Sequence, residues 1–120
     1  MMPQLISELN PTARKIHRCM MCGGGIRPGE RYSRDTLVYD GRIYSWVECP
    51  ACQSDHVCNE VHAWTGGWYD EGVGIEEASE WAHDTIRFAK TEDLREIARR
   101  WLLRNSCTCE LCLLANGAGS

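Results

Sequence analysis

Cys19-Met20-Met21-Cys22 and Cys49-Pro50-Ala51-Cys52 hold the clearest chemistry in this sequence. A Cys-x-x-Cys segment puts two thiolates on one tight turn, close enough for both to bind one ion. Two such pairs, with 26 residues between them, supply the four-sulfur tetrahedron that zinc prefers, at Zn–S distances of about 2.3 Å. A four-thiolate zinc has no open position for water, so this site is expected to be structural. Gly23, Gly24 and Gly25 follow the first pair and suit a turn whose amides approach metal-bound sulfur.

Four further cysteines remain, Cys58, Cys107, Cys109 and Cys112. Together they are expected to bind a second zinc that pins the C-terminal part of the chain to the first site. Such a site closes a loop of about 50 residues. His56 and His62, each four residues beyond a cysteine (Cys52 and Cys58), stand as alternative ligands. The competing reading of Cys58 is a small apolar residue packed inside its helix. Cys49-Pro50-Ala51-Cys52 also resembles a thioredoxin-type redox pair, but that chemistry belongs in a βαβ setting and leaves Cys19 and Cys22 unexplained.

These ligands need elements that bring them together. Residues 1–12, which carry Pro3 and Pro11, read as a loose lead-in. From Arg31 to Glu48, β-forming residues flank Asp40-Gly41, the signature of a two-residue type I′ hairpin. That turn pairs Tyr39 with Arg42, Leu37 with Tyr44 and Asp35 with Trp46, and returns the second cysteine pair to the first. A helix is expected from Cys52 to Trp64 with Val57 and Val61 on one side, ended by Gly66-Gly67. Ala78, Trp81, Ala82, Thr85, Ile86 and Ala89 mark a second helix. Thr91 then caps a third, where Leu94, Ile97, Ala98, Trp101 and Leu102 form an apolar stripe. The expected architecture is a small α+β zinc-stabilised domain over 13–68, with a helical segment over 69–115 packed on it. Residues 1–12 and 116–120 are the expected flexible termini.

The chain has 120 residues and a formal charge of −4; eight thiolates and two zinc ions take it to about −8. That balance opposes general coating of DNA or RNA, which needs a positive field. Two basic groups are still candidates for local contact. Arg14, Lys15 and Arg18 flank the first cysteine pair, and Arg95, Arg99, Arg100 and Arg104 lie on the last long helix. For the latter, pairing with Glu96 and with the helix dipole is the simpler account. Trp68-Tyr69, in a glycine-flanked loop, has the composition of an exposed anchor for a protein partner. No secretory leader and no membrane-spanning run of about 18 to 20 apolar residues is read here. The expectation is a soluble protein in the reducing cytoplasm, where eight cysteines point to metal and not to disulfides.

A two-ligand turn, a hairpin and a helix bearing two more ligands in its first turn resemble a treble-clef zinc finger over roughly residues 17–64. The run Cys19-x-x-Cys22-Gly-Gly-Gly-Ile26-Arg-Pro-Gly-Glu30-Arg-Tyr32, with Trp46-x-Glu48-Cys49-x-x-Cys52, is similar to small treble-clef or zinc-ribbon proteins of actinobacterial phages. So is Tyr69-Asp70-Glu71-Gly72 followed by Glu80-Trp81-Ala82. The resemblance implies a phage origin and the cytoplasm of an infected host, and it implies no activity. The Cys107–Cys112 cluster departs from it.

Catalytic signatures are missing from the sequence. His56-Val57-Cys58-Asn59-Glu60-Val61-His62 does not match His-Glu-x-x-His, and no His-x-Glu precedes a Pro-Cys-x-x-Cys as in zinc deaminases. An HNH nuclease takes its catalytic histidine from the hairpin of a treble clef, and residues 31–48 contain none. The expected function is a non-enzymatic, zinc-scaffolded interaction module that binds a host protein and modulates it. The alternatives are a nucleic-acid-binding or transcription-modulating zinc finger, and a thiol redox or metal-handling protein.

Overall fold

The structure is a computed structural model and describes residues 4–66 and 73–118. Its central hairpin pairs β4 (Ser33–Tyr39) with β5 (Arg42–Glu48) in the register expected from the sequence, Tyr39 opposite Arg42, Leu37 opposite Tyr44, Asp35 opposite Trp46. Asp40 (φ 53°) and Gly41 (φ 76°) both take positive φ, as a type I′ turn requires, and its twist matches the twist of the strands. The hairpin therefore ends where it began. Cys49, one residue beyond β5, donates its amide to Cys19 Sγ at 3.3 Å, and Met20 donates to the Val47 carbonyl at 2.8 Å.

The lead-in is not loose. Gln4–Leu9 forms a strand, β1, antiparallel to β4, which gives a three-stranded sheet of order β1-β4-β5 with an irregularity between Leu5 and Ser7. Thr12 bridges Arg31, Ala13 donates to the Glu30 carbonyl, and Tyr32 donates to that of Pro11, so pairing runs on past the strand. A second, very short ladder joins β2 (His17–Arg18) to β3 (Gly25–Ile26) and frames the first cysteine pair. The His17 and Tyr32 rings lie 4.8 Å apart beside it. Burial, then Lys15 and Arg34, holds the His17 imidazole below its usual pKa.

The helix expected from Cys52 to Trp64 is two helices, α1 (Pro50–Ser54) and α2 (Val57–Trp64). Pro50 opens α1 at its first turn, where a missing N–H costs nothing. Between the helices His56 stands at φ 53°, a left-handed conformation no helix continues through. Val57 and Val61 are fully buried, as their spacing implied. Two 14-residue helices follow, α3 (Ile75–Phe88) and α4 (Glu92–Asn105). Thr91 caps α4 through its hydroxyl, which accepts from Leu94, and Glu77 reaches back to the Gly74 amide at the start of α3. The chain closes with α5 (Glu110–Leu113) and a π-helical turn over Leu114–Ala118.

The core is apolar and sulfur-lined at once. Met21, Ile26, Val57, Val61 and Trp101 are its largest fully buried side chains, and Cys19, Cys22 and Cys52 are buried among them. Ala78, Trp81 and Ala82 bring α3 into the same cluster, and Ala98 and Trp101 bring α4. Trp101 donates its indole N–H to the Met21 carbonyl at 3.0 Å, and Asn105 donates to that of Cys22 at 3.0 Å. The last long helix is thus fastened to the backbone of the first cysteine turn. The division expected at 68/69 falls outside the described residues.

Candidate metal centres

The β2–β3 turn shapes the first half of the first centre. Cys19 and Gly24 close it through an amide–carbonyl bond of 2.9 Å, and Gly23 donates back to the Cys19 carbonyl at 2.8 Å. Within it the Met21 amide faces Cys19 Sγ and the Gly24 amide faces Cys22 Sγ, both at 3.4 Å. The second half comes from the start of α1, where Cys49 is the N-cap and accepts from the Cys52 amide at 3.4 Å. The Sγ atoms of Cys19, Cys22, Cys49 and Cys52 all lie within 4.8 Å of one another, and all four residues are buried. Cys22 Sγ and Cys49 Sγ are 3.8 Å apart. An ideal tetrahedron with Zn–S of about 2.3 Å has an edge of about 3.8 Å, so this spacing suits a tetrahedral four-thiolate ion.

Four thiols this close titrate as a unit. Sharing protons with Cys19 first, then Cys22 and Cys52, pulls the Cys49 thiol down, and contact with Cys19 does the same for Cys22. Cys19 and Cys52 are pushed up, the former by Cys22 above all and the latter by Cys19. A cation that binds here must displace the protons these thiols carry. Arg104 completes the surroundings. Its guanidinium donates to Cys52 Sγ at 3.3 Å and approaches Asp55 Oδ2 at 3.9 Å, while its Nε is buried with no hydrogen-bond partner. Burial opposes the charge on Arg104, but the Cys52, Cys22 and Cys49 sulfurs outweigh it and hold the pKa above the usual value.

A second group forms from Cys107, Cys109 and Cys112, again with sulfurs within 4.8 Å of one another. Cys109 caps α5, and Cys112 lies in its first turn, so a helix start presents two of the three ligands. Cys107 and Cys109 are exposed and Cys112 is buried. The Gly25 amide donates to Cys112 Sγ at 3.4 Å. The Cys112 amide, and after it the Cys107 and Cys112 sulfurs, lower the Cys109 thiol, whereas burial pushes Cys112 up to about 11. Among the described residues of the tail, Asn116 is tied back: it donates to the Gly23 and Cys112 carbonyls and accepts from Arg18 Nε. Two cysteine groups can therefore hold metal ions, one with four sulfurs and one with three.

One expected ligand and its two alternatives are elsewhere. Cys58 belongs to neither group, and neither His56 nor His62 joins one. At His56 the chain turns left-handed between α1 and α2, so Cys52 and His56 do not share the face of one continuous helix. Cys58 instead lines a cleft of about 230 Å³ with Glu8, Asp35, Glu48 and His56. Burial foremost, then Glu48 and Asp35, pushes its thiol up to about 11. Burial, then Asp35 and Cys49, pushes Glu48 up to about 7. No local pattern in the sequence points to this cleft, since Glu8 reaches it only through strand β1.

The arginines of α4 are engaged as their neighbours implied. Arg95 pairs with Glu92, Arg99 with Glu92 and Glu96, and Arg100 with Glu96 and Asp55. Arg14 and Lys15 are exposed. Trp68 and Tyr69 lie outside the described residues. Among the described residues no helix is long and apolar enough to cross a membrane. No protein family, curated protein or solved structure matches the chain.

Proposed function

We propose that this chain is a non-enzymatic interaction module of treble-clef type, scaffolded by Zn²⁺ and encoded by a phage, that binds a host protein and modulates its activity in the host cytoplasm. The buried four-sulfur centre carries the reading. Its donors are all thiolates and leave no position for substrate or water, so the ion it suits organises structure and does no chemistry. Zinc is the ion that such a set favours in a reducing compartment, and the order of knuckle, hairpin and ligand-bearing helix supports the treble-clef assignment. The ion pairs of α4 use up its arginines within the fold, which weakens the case for a nucleic-acid surface there.

The test is affinity capture from host lysate with the zinc-loaded chain. One host protein should be recovered, and Trp68→Ala should lose it while zinc content stays the same. A second reading rests on the exposed Arg14 and Lys15 next to the first cysteine pair. A salt-dependent shift with DNA or RNA, abolished by replacing Arg14, Lys15 and Arg18 with alanine, would put nucleic-acid binding in place of the host protein.

A further inference from the structure

We infer that the Cys107, Cys109 and Cys112 centre holds its ion with one coordination position open outward, and that a neutral nitrogen donor of the imidazole class from another molecule fills it. The inference rests on the zinc reading above. The two centres differ in the way that separates closed sites from open ones. The first has four sulfurs, all buried; the second has three, two of them exposed. Among the described residues no further histidine, cysteine or carboxylate joins the second group. Zinc with three protein donors takes its fourth from water or from a ligand.

Charge selects the class of that ligand. A divalent ion on three thiolates carries a net charge of −1, Glu110 sits between two of the ligands in sequence, and the whole chain is already at −4 before metal. A fourth thiolate or a carboxylate would add a further negative charge to an acidic surrounding. Water and imidazole both add none, and of the two imidazole is the stronger donor and completes the Cys₃His set that zinc accepts readily. The buried side of the centre is fixed: the Gly25 amide meets Cys112 Sγ, and Asn116 holds the Cys112 carbonyl. The exposed side, where Cys107 and Cys109 lie, is where an outside donor can enter.

Cobalt(II) in place of zinc, with imidazole as the probe, tests this in the full chain. Two ions should bind per chain, and the visible d–d bands of one of them should shift with imidazole and saturate at one imidazole per chain. Cys107→Ser and Cys109→Ser should each abolish the imidazole-sensitive bands and leave the four-thiolate spectrum of the first centre, which also reports that the variant is folded. Two bound ions with no response to imidazole would overturn the open position, since the chain then supplies its own fourth donor, and would leave the two-metal reading intact. One ion per chain in the unaltered protein would remove the second centre itself.

Discussion

Gly25 donates its amide to Sγ of Cys112, 87 positions further along the chain, at 3.4 Å, while its neighbour Gly24 donates to Sγ of Cys22. Two consecutive peptide groups thus serve the two centres, and the turn that builds the first also seats the second. This contact needs glycine. A Cβ at position 25 would lie 2.7 Å from Leu111 Cγ and 2.9 Å from the Leu111 carbonyl oxygen, so α5 would have to move. Gly25→Ala should keep the first ion and weaken the second by roughly ten- to a hundredfold, the usual effect of disturbing a ligand's outer contacts. Metal content and competition with a chromogenic chelator read the outcome, and an unchanged second affinity would show that the two centres are independent.

Arg104 ties α4 to the first centre through Cys52 Sγ and Asp55, and pays for its position with a buried Nε that lacks a partner. A positive group against a four-thiolate ion offsets part of its net negative charge. Arg104→Gln should therefore lower stability by about 1 to 3 kcal/mol, the range for removing a buried charged hydrogen bond. Thermal unfolding of the loaded protein measures it. Arg99→Gln serves as the control, because its partners Glu92 and Glu96 are exposed and water screens such pairs, so the melting transition should move less than with Arg104→Gln.

The parts of this arrangement that were legible in the sequence are those set by nearby residues. The cysteine pairs follow from a four-residue spacing, and the β4–β5 register follows from the backbone demands of Asp40-Gly41. Strand β1 was hidden because its six residues alternate weakly and their partner, β4, starts about 25 residues later. The break between α1 and α2 was hidden for a similar reason. Asp55, just before it, is held by Arg100 and Arg104 from α4, a contact that no local pattern announces.

Release of the ions should be ordered. The second centre offers three thiolates, two exposed, so protons and chelator reach it readily; the first is sealed in the core. Acidification or chelation should remove one equivalent first with helical signal retained. The second equivalent should leave together with the fold, because its loss strands four thiols around Met21 and Trp101. Metal release followed in parallel with circular dichroism resolves the two steps. Full removal of both ions with an unchanged melting transition would contradict a structural role for the first centre.

Cys58 separates a metal scaffold from a thiol redox protein. Its thiol lies in the Glu8, Asp35 and Glu48 cleft, and its pKa of about 11 against an ordinary 9.0 leaves about a hundredfold less thiolate at neutral pH. The sign follows from burial and the two carboxylates, all of which disfavour a negative sulfur. In the loaded protein Cys58 is the one cysteine outside the two centres, so native alkylation at pH 7 should be slow and should modify at most this residue. Cys58→Ala should still bind two ions. Rapid modification of Cys49 or Cys52 in the metal-loaded chain would show that those sulfurs are not held by an ion and would favour redox chemistry instead.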